Sequence, residues 1–397
     1  MTLKDLNKLV VPVLAILVLL VLAPIAARAA CPNQVEPPSD DPLHMLVIGD
    51  SIMWGQGLRD EEKFSTRVKC WLEEKTNRAV KVQVEAHSGA VISGSALAQP
   101  TFNTSDGEVN LTSPTINDQL DHAIQFYKQN QATPSLILLN GCINDVGVKN
   151  LLAASTTLED LRAQARQNCG EKMQLLLHRV RNSFPQAQVV VTGYYPIVSV
   201  ETADNAFLRQ LVKKLNNQRP ETRRMTDKEM RQRLVAISDE WYKTSTANLA
   251  VAVMKTNSDT SSPQIMLAEI QFGPEHVFAA PETLLWTFLF ASTRASGFAK
   301  VVVLLSFGTA AYKANDHVRE SRIKSCEQAF KKPKGVKEDK KTKEDREDLL
   351  LICRYASLGH PNNMGAMVYA EAIKGQLLQL IDKPGWKRDT NSHQSLQ

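Results

Sequence analysis

The amino-acid sequence predicts an α/β fold, a mainly parallel sheet covered by helices on both faces. Two observations predict it. Strand-like and helix-like segments alternate along the chain, the pattern that lays strands side by side in parallel with helices crossing over them. The strand candidates are short apolar runs that stop at glycine or small polar residues. In such sheets the chemistry gathers in loops beyond the carboxyl ends of the strands.

Taken in order, His44-Met45-Leu46-Val47-Ile48 reads as a buried strand that stops at Gly49. Phe64, Val68, Trp71 and Leu72 recur at helical spacing, so 60–75 is an amphipathic helix. Val80 to Ala86 alternates apolar and polar residues, as a strand ending at His87-Ser88-Gly89. Ile116 to Gln129 is helix-like, and Ser135 to Leu139 is a third strand ending at Asn140-Gly141. Leu175, Leu176, Val180 and Phe184 mark another helix, followed by a strand from Gln188 to Thr192. Thr226 and Glu229 stand in capping-box spacing before a helix through Trp241, and Ile265 to Phe272 reads as a further strand.

Two apolar stretches come next, Thr283 to Thr293 and Val301 to Tyr312, each too short to cross a membrane. Pro281-Glu282 reads as the start of a helix over the first. Core packing and an apolar wall beside the site are the two uses such stretches allow. Residues 331–348 carry fourteen charges among eighteen side chains and are expected to form a solvated loop.

Composition narrows the function classes. With 43% hydrophobic and 22% charged residues, the 397-residue chain is neither disordered nor fibrous. A net charge of +5, from 47 basic and 42 acidic residues, and no basic stripe interleaved with aromatics argue against nucleic acid as a partner. The eight histidines are scattered without ligand spacing, and no phosphate loop or dinucleotide fingerprint occurs, so neither a metal nor a cofactor is expected.

Lys4 and Lys8, the uncharged run Leu9 to Ala27 and the small residues of Ala27-Arg28-Ala29 make 1–29 a signal peptide or an N-terminal membrane anchor. The body is therefore expected to be exported, periplasmic or secreted, with membrane contact only through that segment. A proline-rich lead-in (30–42) precedes the main domain (43–385), with an insertion at about 200–320 and a polar tail at 386–397. Asn103-Thr104-Ser105 and Asn110-Leu111-Thr112 fit glycosylation sequons. An oxidising compartment and six cysteines favour three disulfides, in sequence order Cys31–Cys70, Cys142–Cys169 and Cys326–Cys353.

The chemistry-bearing residues sit at strand ends. Gly49-Asp50-Ser51-Ile52 follows the first strand and exposes a serine hydroxyl near a helix start, where a nucleophile can be served by a base. His360, in Ser357-Leu358-Gly359-His360-Pro361-Asn362, stands in a turn before a helix that continues to Ile381, a placement that suits a general base. Gly89 after the second strand and Asn144-Asp145 after the third offer a backbone N–H and a side-chain amide, neutral donors of the kind a developing oxyanion needs.

In this order the four blocks resemble the SGNH hydrolases, also called the GDSL esterase/lipase family, over about 43–381, with 200–320 poorly matched. The resemblance implies a three-layer α/β/α sandwich of flavodoxin-like type and hydrolysis of an ester through an acyl-serine. It implies Ser51 as nucleophile, His360 as base, and Ser51, Gly89 and Asn144 as oxyanion donors. The substrate would be a small-molecule or lipid ester. An inactive binding protein of the same fold, and an acyltransferase or deacetylase acting on envelope polysaccharide, are the alternatives. Two departures stand out. Cys142 occupies the glycine position of the third block, and Ser357 stands where the family has the aspartate that orients the histidine. Ser357 itself, a backbone carbonyl or a distant carboxylate such as Asp316 are the candidates to hold His360 instead.

Overall fold

The computed structural model describes residues 31, 37, 40–94, 107–109, 114–205, 208–209, 212–213, 216, 222–258, 265–288, 314–332, 335, 337–382 and 386. It divides into two units, Met1–Gln34 and Val35–Gln397, and the sheet with all its helices belongs to the second. The expected N-terminal signal or anchor segment, both sequons and the stretch Val301 to Tyr312 lie outside the described residues, as does most of the polar tail. No helix among the described residues is long and apolar enough to cross a membrane.

Five strands form one parallel sheet in the order β2-β1-β3-β4-β5. They are β1 Leu43–Ile48, β2 Val80–Val84, β3 Leu136–Leu139, β4 Gln188–Thr192 and β5 Ile265–Ala268. Hydrophobicity follows position in the sheet. The inner strand β3 reads Leu-Ile-Leu-Leu and is wholly buried, because helices cover both its faces. At one edge, β2 reads Val-Lys-Val-Gln-Val and stays half-open to solvent.

The helices fall into two outer layers. Ahead of them comes a single turn, α1 Ser51–Trp54, directly after β1. On one face lies α2 Phe64–Thr76, and on the other α3 Ile116–Gln129, whose N-terminus is closed by a Thr115/Asp118 capping box. Two short helices, α4 Ile143–Val146 and α5 Val148–Leu151, follow β3. The next helix, α6 Leu158–Ala165, widens into a π-helical stretch at Arg166–Lys172 and resumes as α7 Met173–Ser183. A long helix, α8 Asp227–Asn257, opens on the expected Thr226/Glu229 capping box and runs well past Trp241. Beyond β5 come α9 Arg319–Ala329, α10 Lys340–Arg354 and α11 Asn363–Leu377. α11 packs on α2, β4 and β5 to make one layer, while α3, α7 and α8 pack together as the other. Phe64 stacks on Tyr369 within the first layer (5.1 Å), and Tyr194 meets Trp241 between sheet and second layer (5.2 Å). The fold is thus the expected three-layer sandwich.

Three expectations change. The stretch 200–320 is not merely an insertion, since it supplies β5, which completes the sheet, and α8, which covers it. No helix starts at Pro281. Instead Leu285 bridges to Pro361 and Phe288 to Ala314, so tertiary pairing overrides the local proline signal. The charged segment is not all loop either, because α10 begins at Lys340. Asp339 caps it by accepting the Thr342 N–H (2.7 Å), and Lys340–Glu344 and Lys343–Glu347 pair one turn apart. Lysine, glutamate and arginine are good helix formers that need no burial, so a lack of apolar residues did not forbid a helix. Its far end is anchored by Cys353, which is bonded to Cys326 on α9 and packs with Phe330 and Val109.

Two disulfides match the expected order, Cys142–Cys169 and Cys326–Cys353. Cys31 and Cys70 are also disulfide-bonded, leaving no free cysteine among the described residues.

Candidate active site

The turn after β1 is fastened from several elements. Gly49 has φ +151°, and a Cβ there would lie 2.1 Å from Asn140 Oδ1, so only glycine fits. Gln119 of α3 grips both of its backbone groups, accepting from Gly49 N (2.8 Å) and donating to Gly49 O (3.0 Å). Asn140, at the end of β3, accepts from Asp50 N (2.9 Å) and donates to Asp50 Oδ1 (2.8 Å). Asp50 is fully buried and caps α1 by accepting from Ile52 N (2.8 Å). Tyr194, after β4, donates to Asp50 Oδ2 (2.8 Å) and accepts from Ile143 N (3.3 Å). Burial pushes the Asp50 carboxyl above its ordinary range, against the pull of its Asn140, Tyr194 and backbone donors.

Ser51 is the first residue of α1, and His360 reaches it across 309 positions of sequence. His360 Nε2 lies 2.7 Å from Ser51 Oγ. The histidine turn is held largely through its backbone. Trp286 N donates to the His360 carbonyl (2.7 Å), Gly359 N donates to the Trp286 carbonyl (2.9 Å), and Tyr195 Oη donates to the Gly359 carbonyl (2.7 Å). Asn362 then caps α11 by accepting from Met364 N and Gly365 N.

The remaining nitrogen, Nδ1 of His360, is buried and has no hydrogen-bond partner among the described residues, although the residue as a whole is only half-buried. Desolvation lowers the His360 pKa to about 4. The carbonyls of Ser357 and Leu358 and the charge of Asp316 work against that shift, and the charge of Arg322 adds to it. Neither candidate orienter hydrogen-bonds the ring. Ser357 donates to Asp316 (2.7 Å), and both are occupied by Arg322. Of the three supports the sequence offers, the backbone carbonyls of Ser357 and Leu358 act on the ring electrostatically, without a hydrogen bond to Nδ1.

Gly89 and Asn144 come together through their loops. Ala90 N donates to the His87 carbonyl (3.2 Å), closing a turn with Gly89 at its third position and φ +80°. Asn144 Nδ2 donates to the Ala90 carbonyl (2.9 Å), and Asp145 accepts from Ile92 N (2.9 Å). Cys142, just before α4, has φ +109°, a left-handed conformation that explains why glycine would suit the position. The bond to Cys169 holds a side chain there all the same.

Ser51 and His360 are readable from the sequence, whereas the residues that fasten their turns, Gln119, Asn140, Tyr194 and Tyr195, are not singled out by it. Asn140 carried a usable signal, as a polar residue ending a strand. The others carried none. The arrangement can pass the serine proton to an uncharged imidazole beside backbone and amide donors.

Residues 47–224 match the model of the GDSL-like Lipase/Acylhydrolase family, a span that holds Ser51, Gly89 and Asn144 and stops short of His360. No curated protein matches the chain. Among solved structures, a lipase from a goat rumen metagenome is similar at TM-score 0.40 and 15% identity, covering 87% of this chain and 99% of that one. A family two carbohydrate esterase from Clostridium thermocellum is similar at TM-score 0.40 and 9% identity, with 88% and 66% covered. Phospholipase A1 from Streptomyces albidoflavus gives TM-score 0.34 and 14% identity, with 66% and 98% covered.

Proposed function

We propose that this chain, whose residues 47–224 match the GDSL-like Lipase/Acylhydrolase family model, is an ester-bond hydrolase that cleaves carboxylic esters through an acyl enzyme on Ser51. His360 Nε2 takes the Ser51 proton as Oγ attacks the carbonyl carbon, then passes it to the leaving alcohol. Water, deprotonated by the same nitrogen, releases the acid and frees the serine. The contact that carries this reading is the 2.7 Å separation of Nε2 and Oγ.

Three donors serve the oxyanion. As the first residue of α1, Ser51 has a backbone N–H with no partner inside the helix. Gly89 offers an N–H that its turn does not use, and the Asn144 amide keeps a second hydrogen beyond the one given to Ala90. Among the described residues no carboxylate hydrogen-bonds the imidazole, and Asp316 acts on it only through its charge, so the pair works as a Ser–His dyad. A base with its pKa near 4 is neutral across the physiological range but draws the proton weakly, which favours modest turnover. Export is part of the same proposal, supported by the N-terminal pattern and the disulfides. The substrate is a small-molecule or lipid ester.

Labelling with a fluorophosphonate probe, followed by mapping of the modified peptide, tests the reading. The label is expected on Ser51 and absent from Ser51→Ala. A second reading, a protein that keeps the fold with little catalysis, draws on the unpartnered Nδ1, and a wild type that takes no label would favour it.

A further inference from the structure

A buried charged cluster links the serine turn to the histidine turn. At its centre is Arg322 on α9, whose side chain is wholly buried. Nη1 donates to Glu108 Oε1 (2.8 Å) and Asp316 Oδ1 (2.8 Å), and Nη2 donates to Asp316 Oδ2 (2.6 Å) and Ser357 Oγ (3.0 Å). On one side, Glu108 gathers the residues that follow Ser51. It accepts from Trp54 Nε1 (2.9 Å), Gln56 Nε2 (2.8 Å) and Gly57 N (3.1 Å). On the other side, Ser357 opens the histidine turn, and its carbonyl accepts from His360 N (2.9 Å). The Cys326–Cys353 bond lies four residues beyond Arg322 and four before Ser357, so the strut and the histidine arm are fixed to one cross-linked pair of helices, while Glu108 comes from a separate segment.

Burying so many ionised groups gains little net stability over apolar packing of the same volume, while it does select one geometry. The geometry selected here is the distance between two turns far apart in sequence. Given the reading of Ser51 and His360 above, we propose that Arg322 is a positioning residue, the strut that sets His360 against Ser51 by binding Glu108 on the serine side and Asp316 and Ser357 on the histidine side. It touches no reacting atom. It supplies, through the backbone of the turn, the orientation that a carboxylate at position 357 would have supplied through Nδ1.

The test uses the full chain as Arg322→Met, Arg322→Lys and Glu108→Gln, with sites counted by fluorophosphonate titration and turnover measured on a chromogenic short-chain ester. Displacing the base by about an ångström costs up to about 100-fold, so Arg322→Met is expected to lower kcat per titrated site by about 10- to 100-fold with KM changed less than about twofold. Arg322→Lys keeps the charge without the planar fork and is expected to recover part of the loss. Glu108→Gln is expected to lose about three- to tenfold in kcat by freeing the serine arm alone.

A merely structural cluster would lower the number of titratable sites and leave kcat per site unchanged, which would overturn the proposal. If Arg322→Met does not fold, the lysine and glutamine variants decide by the same criterion. A wild type that takes no label on Ser51 overturns the catalytic reading and this inference with it. A labelled wild type with unchanged variants overturns the inference alone.

Discussion

Around Ser51, the turn is secured by side chains rooted in the sandwich itself, Gln119 on α3, Asn140 after β3 and Tyr194 after β4. Around His360, apart from Tyr195 after β4, the supports come from loops and from a cross-linked helical pair outside the sheet layers, and one ring nitrogen has no partner among the described residues. The serine is thus placed by the same contacts that hold the fold together. The histidine is placed mainly by contacts outside the sheet layers. Losses on the serine side should therefore show in stability and activity together, and losses on the histidine side mainly in rate.

The largest expected effect breaks the dyad itself. His360→Ala should cut ester turnover by about 10³-fold or more, the scale of losing a general base. The melting temperature should move little, since the ring's only bond among the described residues is to Ser51. A large thermal shift with retained turnover would make the histidine structural.

A matched pair sharpens the contrast. Tyr194→Phe leaves buried Asp50 without one of its donors and should destabilise the protein by about 1–3 kcal/mol. Tyr195→Phe removes only the bond to the Gly359 carbonyl, and should cost less stability but lower kcat several-fold through the neighbouring His360. Equal effects from the two in both thermal unfolding and kinetics would erase the distinction.

The smallest effect concerns the loop of Asn144. With the Cys142–Cys169 bond removed through Cys169→Ala, Cys142→Gly should be more stable than Cys142→Ala by about 1 kcal/mol. The φ of +109° there penalises any side chain, and chemical denaturation can resolve the difference. An alanine variant as stable as the glycine one would mean that the loop relaxes once unbonded.

Much of this was legible in the sequence, and what was not has a physical reason. The inner strands announced themselves because burial on both faces demands unbroken apolar runs, as in Leu136–Leu139. Ser51 and His360 were readable as reactive side chains in turns. Their supports were not, because each depends on tertiary juxtaposition. Arg322 is one basic residue in a strongly polar helix, and Glu108 lies in a stretch without periodicity. The charged segment's poverty in apolar residues predicts a loop, whereas local capping and good helix formers build α10 from Lys340 onward. The proline at 281 gave a sound local signal that bridging to Pro361 overrode.

The pH dependence of Ser51 phosphonylation bears most directly on the dyad. His360 must be uncharged to accept the serine proton, and burial holds its pKa near 4. As pH falls, the labelling rate of the wild type should stay level through pH 6 and halve near pH 4, while His360→Ala should be slow and lack that step. A wild-type rate that halves near 6.5, the value of a solvated imidazole, or a variant that labels as fast as the wild type, would contradict the account.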